Sequence, residues 1–280
     1  MTFLQQRLRP SPAVRISFAL FFKAIVPLAL CFSTPAGGVE RTRGVRLLTP
    51  GEPMVPRPPR PDAKPALPPP PPLETIRIAV ANGDDSRLKG LVAHEAPFEV
   101  VETTAHPDLV WDAVSHNVTA GQNVIAYGIA KADLAAVIDR TATLHGLRKL
   151  AAAQPQEITL AVGSPIEHKG DKITLAVDNI AKRALILVDI SGDGTVHMLY
   201  PLGSDERIVQ NSPFRLELEM RDPLGTDAIV AVSAEKPMPA LEDGLNRIST
   251  YPSAAKVLDL ITATVPKDAK IGVLSVTTAP

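Results

Sequence analysis

Ala184-Leu-Ile-Leu-Val-Asp-Ile190, Ser191-Gly-Asp-Gly194 and Thr195-Val-His-Met-Leu-Tyr-Pro201 follow one another without a break. Two apolar, β-prone runs flank a short turn, and the Asp193-Gly194 pair inside it tolerates the positive φ that tight hairpins need. The stretch therefore predicts a β-hairpin. Leu185 to Val188 are apolar at every position, which predicts a strand covered on both faces.

The same punctuation extends outward from the hairpin. Glu157 to Val162, Lys172 to Val177, Phe214 to Met220 and Asp227 to Ser233 are further short β-prone runs separated by Gly, Pro, Asn and Asp, the spacing of an antiparallel sandwich or barrel. Leu241 to Ile248 and Ala254 to Thr262 read as helices, and Ile271 to Val276 as a closing strand. Upstream, Ile76 to Val80, Phe98 to Thr103, Leu109 to Trp111 and Val124 to Ile129 read as strands. Ser86 to Ala93 reads as a short helix with Leu88, Leu91 and Val92 inward. Lys131 to Gln154 has helical periodicity, with Leu134, Val137, Ile138, Thr141, Leu144, Leu147 and Leu150 on one stripe. Gly146 within it calls for a packing reason or a break, and Pro155 stops it. The fold class expected is α+β: a small α/β layer followed by an antiparallel β-sandwich-like domain with C-terminal helices.

The first 72 residues have a different character. Arg7, Arg9 and Arg15 precede the apolar run Ile16 to Phe32, and Ser33-Thr34-Pro35-Ala36 offers small residues for cleavage, the pattern of an export signal. Lys23 and Pro27 interrupt that run, which is at the short limit for a membrane span. A cleaved signal is favoured over a membrane tether through residues 16–32, and a lipoprotein reading of Cys31 is weakened by Leu30 before it. From Pro50 to Pro72, 12 of 23 residues are proline. Proline removes the amide donor and fixes φ, so this stretch predicts a disordered, polyproline-like spacer of roughly 70 Å when extended. The organisation expected is residues 1–36 as signal peptide or membrane anchor, 37–72 as proline-rich linker, 73–155 as a small α/β subdomain and 156–280 as a β-rich domain.

Composition restricts function. Residues 73–280 carry 19 Lys/Arg against 27 Asp/Glu, a mildly acidic balance that argues against a nucleic-acid surface. Cys31 is the only cysteine, so an intrachain disulfide, a cysteine nucleophile in the folded region and a multi-cysteine metal site are excluded. Aromatics are 4% of the chain, so its core is expected to be built from Val, Ile, Leu and Ala.

Lys172 to Val177, Leu185 to Ile190, Gly192-Asp193-Gly194-Thr195-Val196, Leu199-Tyr200-Pro201 and Pro223-Leu224-Gly225-Thr226-Asp227 together resemble a domain of unknown function. That domain is appended C-terminally to bacterial caspase-family (metacaspase-like) peptidases. Ile76 to Val80, Asp108 to Asp112, Val137 to Leu150, Ile271-Gly272-Val273 and Thr278-Ala279-Pro280 extend the similarity over roughly Leu73 to Pro280. The peptidase domain and its His and Cys dyad have no matching positions here, so the resemblance implies an exported appendage without the peptidase and carries over no catalytic residue.

The candidates for chemistry are sparse. Asp189, Ser191, Asp193 and Gly194 match the opening of a calcium loop, but Tyr200 stands where the bidentate Glu is required, and a hairpin turn explains the same residues. His94, His106, His116, His145, His168 and His197 form no close metal-ligand pair. His197 alternates with Val196 and Met198 and is expected to point away from them, towards solvent or a helix. His106, Asp108, Asp112, Ser115 and Ser164 are the hydrolase candidates, without a nucleophile elbow or phosphate loop around them. Trp111 is expected in the core, and Asn117-Val118-Thr119 is a formal glycosylation acceptor. The expectation is an exported, non-catalytic protein without cofactor or metal. Its β-rich domain would bind an envelope protein or ligand, accessory to a peptidase-type or envelope system. A cryptic hydrolase, favoured if perturbed titratable groups converge in one pocket, and a structural envelope spacer are the alternatives.

Overall fold

The computed structural model describes residues 72–160 and 167–279. The expected signal, Cys31, the proline linker, Ser164 and the end of the run Glu157 to Val162 lie outside the described residues. In chain order the elements are β1 (Ile76–Ala81), β2 (Phe98–Val100), β3 (Leu109–Asp112), β4 (Val118–Ala120), β5 (Asn123–Ala126) and α1 (Leu134–Ala153). There follow β6 (Ile158–Leu160), β7 (Glu167–His168), β8 (Lys172–Val177), β9 (Arg183–Ile190), β10 (Val196–Tyr200), β11 (Ile208–Val209) and β12 (Phe214–Glu219). The last are β13 (Gly225–Ala234), α2 (Pro239–Ile248), α3 (Ala254–Thr264) and β14 (Lys270–Ala279).

The fold is α+β. Among the described residues an 11-stranded mixed sheet runs in the order β10-β9-β13-β5-β4-β3-β1-β2, with β14 also on β13, β7 on β14 and β11 on β9. A second sheet, β12-β8-β6, is antiparallel. The α/β layer and the β-rich part thus contribute strands to the same large sheet. β1 lies parallel to β2 and β3, and β4 and β5 continue antiparallel.

Strand period fixes which side chains meet. From β9, β10 and β13, Val188, Ile190, Val196, Met198, Val230 and Val232 face the helices, meeting Leu144 and Leu147 of α1, Leu245 of α2 and Val257 and Leu258 of α3. The alternate residues Leu185, Leu187, Ile229 and Ala231 face the second sheet, where Ile173, Leu175 and Val177 meet them. Leu185 to Val188 are therefore covered on both sides, as their unbroken apolar run predicts. A Leu, Ile or Val so enclosed contributes about 1.5–3 kcal/mol of burial, which makes β9 and β13 the anchor of this half. A third core, with Ile76, Ile78, Leu109, Trp111 and Ile125, is closed by Leu134, Val137 and Ile138 of α1.

The stripe of α1 is inward along its length, and Gly146 has a packing reason: a Cβ there would stand 2.5 Å from Leu258 Cδ2. The segment Ser86 to Ala93 departs from expectation. Only a 3-10 turn, Asp85–Leu88, forms, capped by the Asp84 carboxylate on the Ser86 N–H. Gly90 at φ 81 ends it, so Leu88 is buried while Val92 is 72% exposed. Val118–Ala120 pairs with β3 and β5 although its polar neighbours hid a strand from the sequence.

Candidate functional site

The first half of α1 is enclosed on all sides, and its sequence carries Asp139 and Arg140 into that interior. A buried charge needs partners. Asp139 accepts the N–H groups of Ala96 at 2.8 Å and Glu95 at 3.2 Å. Arg140, only 3% exposed, reaches the line where β9 stops and β5 takes its place beside β13. Its Nε donates to the carbonyl of Ser191 at 2.9 Å and its Nη2 to the carbonyl of Thr226. Thr226 Oγ1 in turn donates to the carbonyl of Val124 at 3.0 Å. Two glycines let the backbones approach: a Cβ on Gly192 would fall 1.8 Å from the Ile125 carbonyl oxygen, and one on Gly225 2.4 Å from the same atom.

Just beyond this seam, on the face towards the second sheet, stand Asp189 and Asp227. Asp189 pairs across the strands with Ile229 on one side and His197 on the other. Asp227 lies two residues before Ile229 on the same strand, so its side chain shares that face. Directly opposed side chains have Cβ atoms about 4.5–5.5 Å apart and diagonal ones remain within reach, so three polar side chains converge here. They line a cavity of about 470 Å³ together with Ser191, the apolar Leu199, Leu218, Met220, Pro223, Ile229 and Val276, and the charged Glu219, Arg221 and Asp222.

The electrostatics of the pair follow from burial. Asp189 accepts a hydrogen bond from Ser191 Oγ on Oδ2, at 3.1 Å, while its buried Oδ1 has no hydrogen-bond partner among the described residues. Asp227 Oδ1 accepts the Gly192 N–H at 3.2 Å. Loss of solvent pushes Asp189 well above the ordinary carboxyl range, and the charge of Asp227 adds to this. Desolvation raises Asp227 to about 6 against the pull of Arg140. Burial lowers Arg140 to about 10, resisted by Asp227 and Asp189, so the guanidinium keeps its charge. The arrangement holds two carboxyls able to carry protons near neutral pH at the floor of a partly apolar cavity.

Of the hydrolase candidates only Asp112 and Ser115 come together, in a local turn. Asp108 Oδ2 accepts the Arg77 N–H at 2.8 Å. Asp112 caps the following loop, accepting from the N–H groups of Val114 and Ser115 and from Asn82 Nδ2, which together lower it to about 2. His106 is exposed at φ 53, Ser115 is exposed, and Ser164 lies outside the described residues. The hairpin turn is closed by Gly194 N–H on the Ser191 carbonyl and by Thr195 N–H on Asp193 Oδ1, at 2.9 Å each. The carboxylate of Asp193 thus shapes the turn, as the hairpin reading predicts. Among the described residues no three His, Cys, Asp or Glu side chains are placed to hold a metal ion.

Of the histidines, His197 does point away from Val196 and Met198, but towards the second sheet rather than a helix. His145 pairs with Glu74 at 3.2 Å, and His94 lies 3.9 Å from Asp139. Trp111 is buried, its Nε1 donating to the Ile129 carbonyl at 3.1 Å. A second cavity, of about 570 Å³, opens beside α1, but its charged residues are engaged elsewhere: Asp108 by Arg77, His145 by Glu74 and Arg148 by Ser275.

The sequence places Asp189 at the end of a strand and in the opening of a calcium-like loop, and Asp227 at the start of another strand, but gives neither of them nor Arg140 a place in this site. The signal was available as charge at positions where periodicity demands apolar residues: Asp139-Arg140 inside the stripe of α1, and Asp189 after four apolar residues. No family model matches the chain, and neither a curated protein nor a solved structure does.

Proposed function

We propose that this chain is an exported, non-catalytic envelope protein whose β-rich part binds a ligand or partner in the cavity above Asp189 and Asp227, accessory to a peptidase-type or envelope system. One observation carries the reading. Two partly exposed carboxyls, one with a partnerless oxygen, line a cavity whose wall combines Leu199, Leu218, Met220, Ile229 and Val276 with the polar rim Glu219, Arg221 and Asp222. A few convergent polar groups in an apolar cleft are what a small-ligand site needs. Elsewhere among the described residues the Ser–Asp pairs, Ser86 with Asp84 and Ser115 with Asp112, are contacts within turns.

The pairing of raised carboxyls in one cavity also favours a second reading, acid–base hydrolysis, because one of them can give a proton while the other accepts one. Incubation of the full chain with ester, peptide and glycoside panels separates the two. No turnover is expected. Turnover abolished by both Asp189→Asn and Asp227→Asn would replace binding with catalysis. Cell fractionation with determination of the mature N-terminus tests the address; a cytoplasmic protein with an intact N-terminus would overturn it.

A further inference from the structure

Resting on the reading of the cavity as a binding site, we infer that it receives a primary ammonium group carried on a short apolar stem, seated on Asp189 and Asp227.

The two carboxyls lack a cationic partner of their own: among the described residues no Lys, Arg or His nitrogen lies within ion-pair distance, 4.0 Å, of either one. Arg140 is near enough to be felt, yet its hydrogen bonds go to the carbonyls of Ser191 and Thr226. Asp189 Oδ1, buried without a donor, is an acceptor whose desolvation nothing offsets. A cationic ligand bringing N–H donors answers that lack and draws the carboxyls into their charged form.

The shape of the site selects among donors. The carboxyls stand on neighbouring strands, and the cavity they line is walled by Leu199, Met220, Ile229 and Val276 with Glu219, Arg221 and Asp222 beside them, two more carboxylates against one guanidinium. A compact group with three donors can address both carboxyls from one point, which is the geometry of an ammonium rather than the flat fork of a guanidinium. A methylene stem then lies along the apolar walls, as long cationic side chains do. A lysine side chain of a partner and a free alkyl diamine share this chemistry.

The test is calorimetric titration of the full chain with four probes: Nα-acetyl-lysine amide, cadaverine, the uncharged isostere Nα-acetyl-norleucine amide, and Nα-acetyl-glutamate amide. At least one ammonium probe is expected to bind about tenfold or more tighter than the norleucine compound, the scale of a hydrogen bond to a charged group. Asp189→Asn is expected to erase that difference. Lysine amide without cadaverine would assign the source to a peptide, and cadaverine without lysine amide to a free amine. Equal binding of norleucine amide, or tighter binding of glutamate amide, would overturn the ammonium assignment and leave the cavity a binding site. Silence from all four probes would overturn both the ammonium and the binding reading of the cavity.

Discussion

Arg140 Nε donates to the carbonyl oxygen of Ser191 at 2.9 Å, fastening the first half of α1 to the residue that follows β9. The same guanidinium reaches Thr226, so one side chain holds a helix and two strands in register. Removing it leaves the Ser191 and Thr226 carbonyls without that donor and takes away the positive charge that pulls on Asp189 and Asp227. Arg140→Met is expected to cost about 3–5 kcal/mol in urea denaturation at neutral pH. The loss should shrink by about 1 kcal/mol or more in an Asp227→Asn background, because the two sites interact directly. Additive losses would show that the guanidinium serves the carbonyls alone.

Asp227 gives stability a pH dependence whose sign is opposite to that of ordinary acid denaturation. Its folded-state value, raised from 3.8 to about 6, means the folded chain holds a proton that the unfolded chain has released. Stability from this group is therefore full below pH 4 and falls as pH rises through 6. Asp189 is displaced in the same direction. Against wild type, Asp227→Asn should gain on the order of 2–3 kcal/mol between pH 4 and pH 7.5, since each tenfold difference in proton affinity between the folded and unfolded chain is worth about 1.4 kcal/mol. Thermal unfolding of both proteins across that range checks it; parallel curves would show that Asp227 titrates normally.

At Gly192 the obstacle to a side chain is backbone. A Cβ would lie 1.8 Å from the Ile125 carbonyl oxygen, so Gly192→Ala must part β5 from the hairpin turn. A loss of about 3 kcal/mol or more is expected, at the upper end of overpacking costs. Gly146→Ala meets the end of the Leu258 side chain and gains helix propensity, so its net cost should be about 1 kcal/mol. Chemical denaturation of the pair should rank them in that order.

Asp139 governs a loop rather than the seam. Its Oδ1 takes the N–H groups of Glu95 and Ala96, and its carboxyl is raised chiefly by burial. Asp139→Ala strands a buried donor, with an expected loss of about 1–3 kcal/mol. Hydrogen exchange should quicken first at Ala96 and in β2, which follows it.

The strands were legible where one face is buried and the other wet, as in β12, and α1 was legible from the apolar stripe that Leu134, Val137, Ile138, Thr141 and Leu144 set. The apolar run of β9 was legible as a doubly covered strand because nothing polar interrupts Leu185 to Val188. Val118–Ala120 escaped because three residues are too few for a period, and Ser86 to Ala93 misled because Leu88, Leu91 and Val92 imitate a helical spacing that Gly90 breaks. The site was not legible. Asp189, Asp227 and Arg140 are distant along the chain, and only the pairing of β9 with β13 and the reach of α1 bring them together.

The seam between β5 and β13 also has a consequence for the order in which the chain acquires its structure. Thr226 and Val124 are 102 residues apart, and Arg140 and Thr226 are 86 apart. The β9–β10 hairpin and α1 need only local contacts and can form on their own timescale, whereas the seam closes a long loop whose entropy must be lost before any bond there repays it. By loop length, Arg140 and Thr226 belong with the later contacts to form, among those of β14 with β7 and α1, and until they join, the seam beside Asp189 and Asp227 is unbuilt.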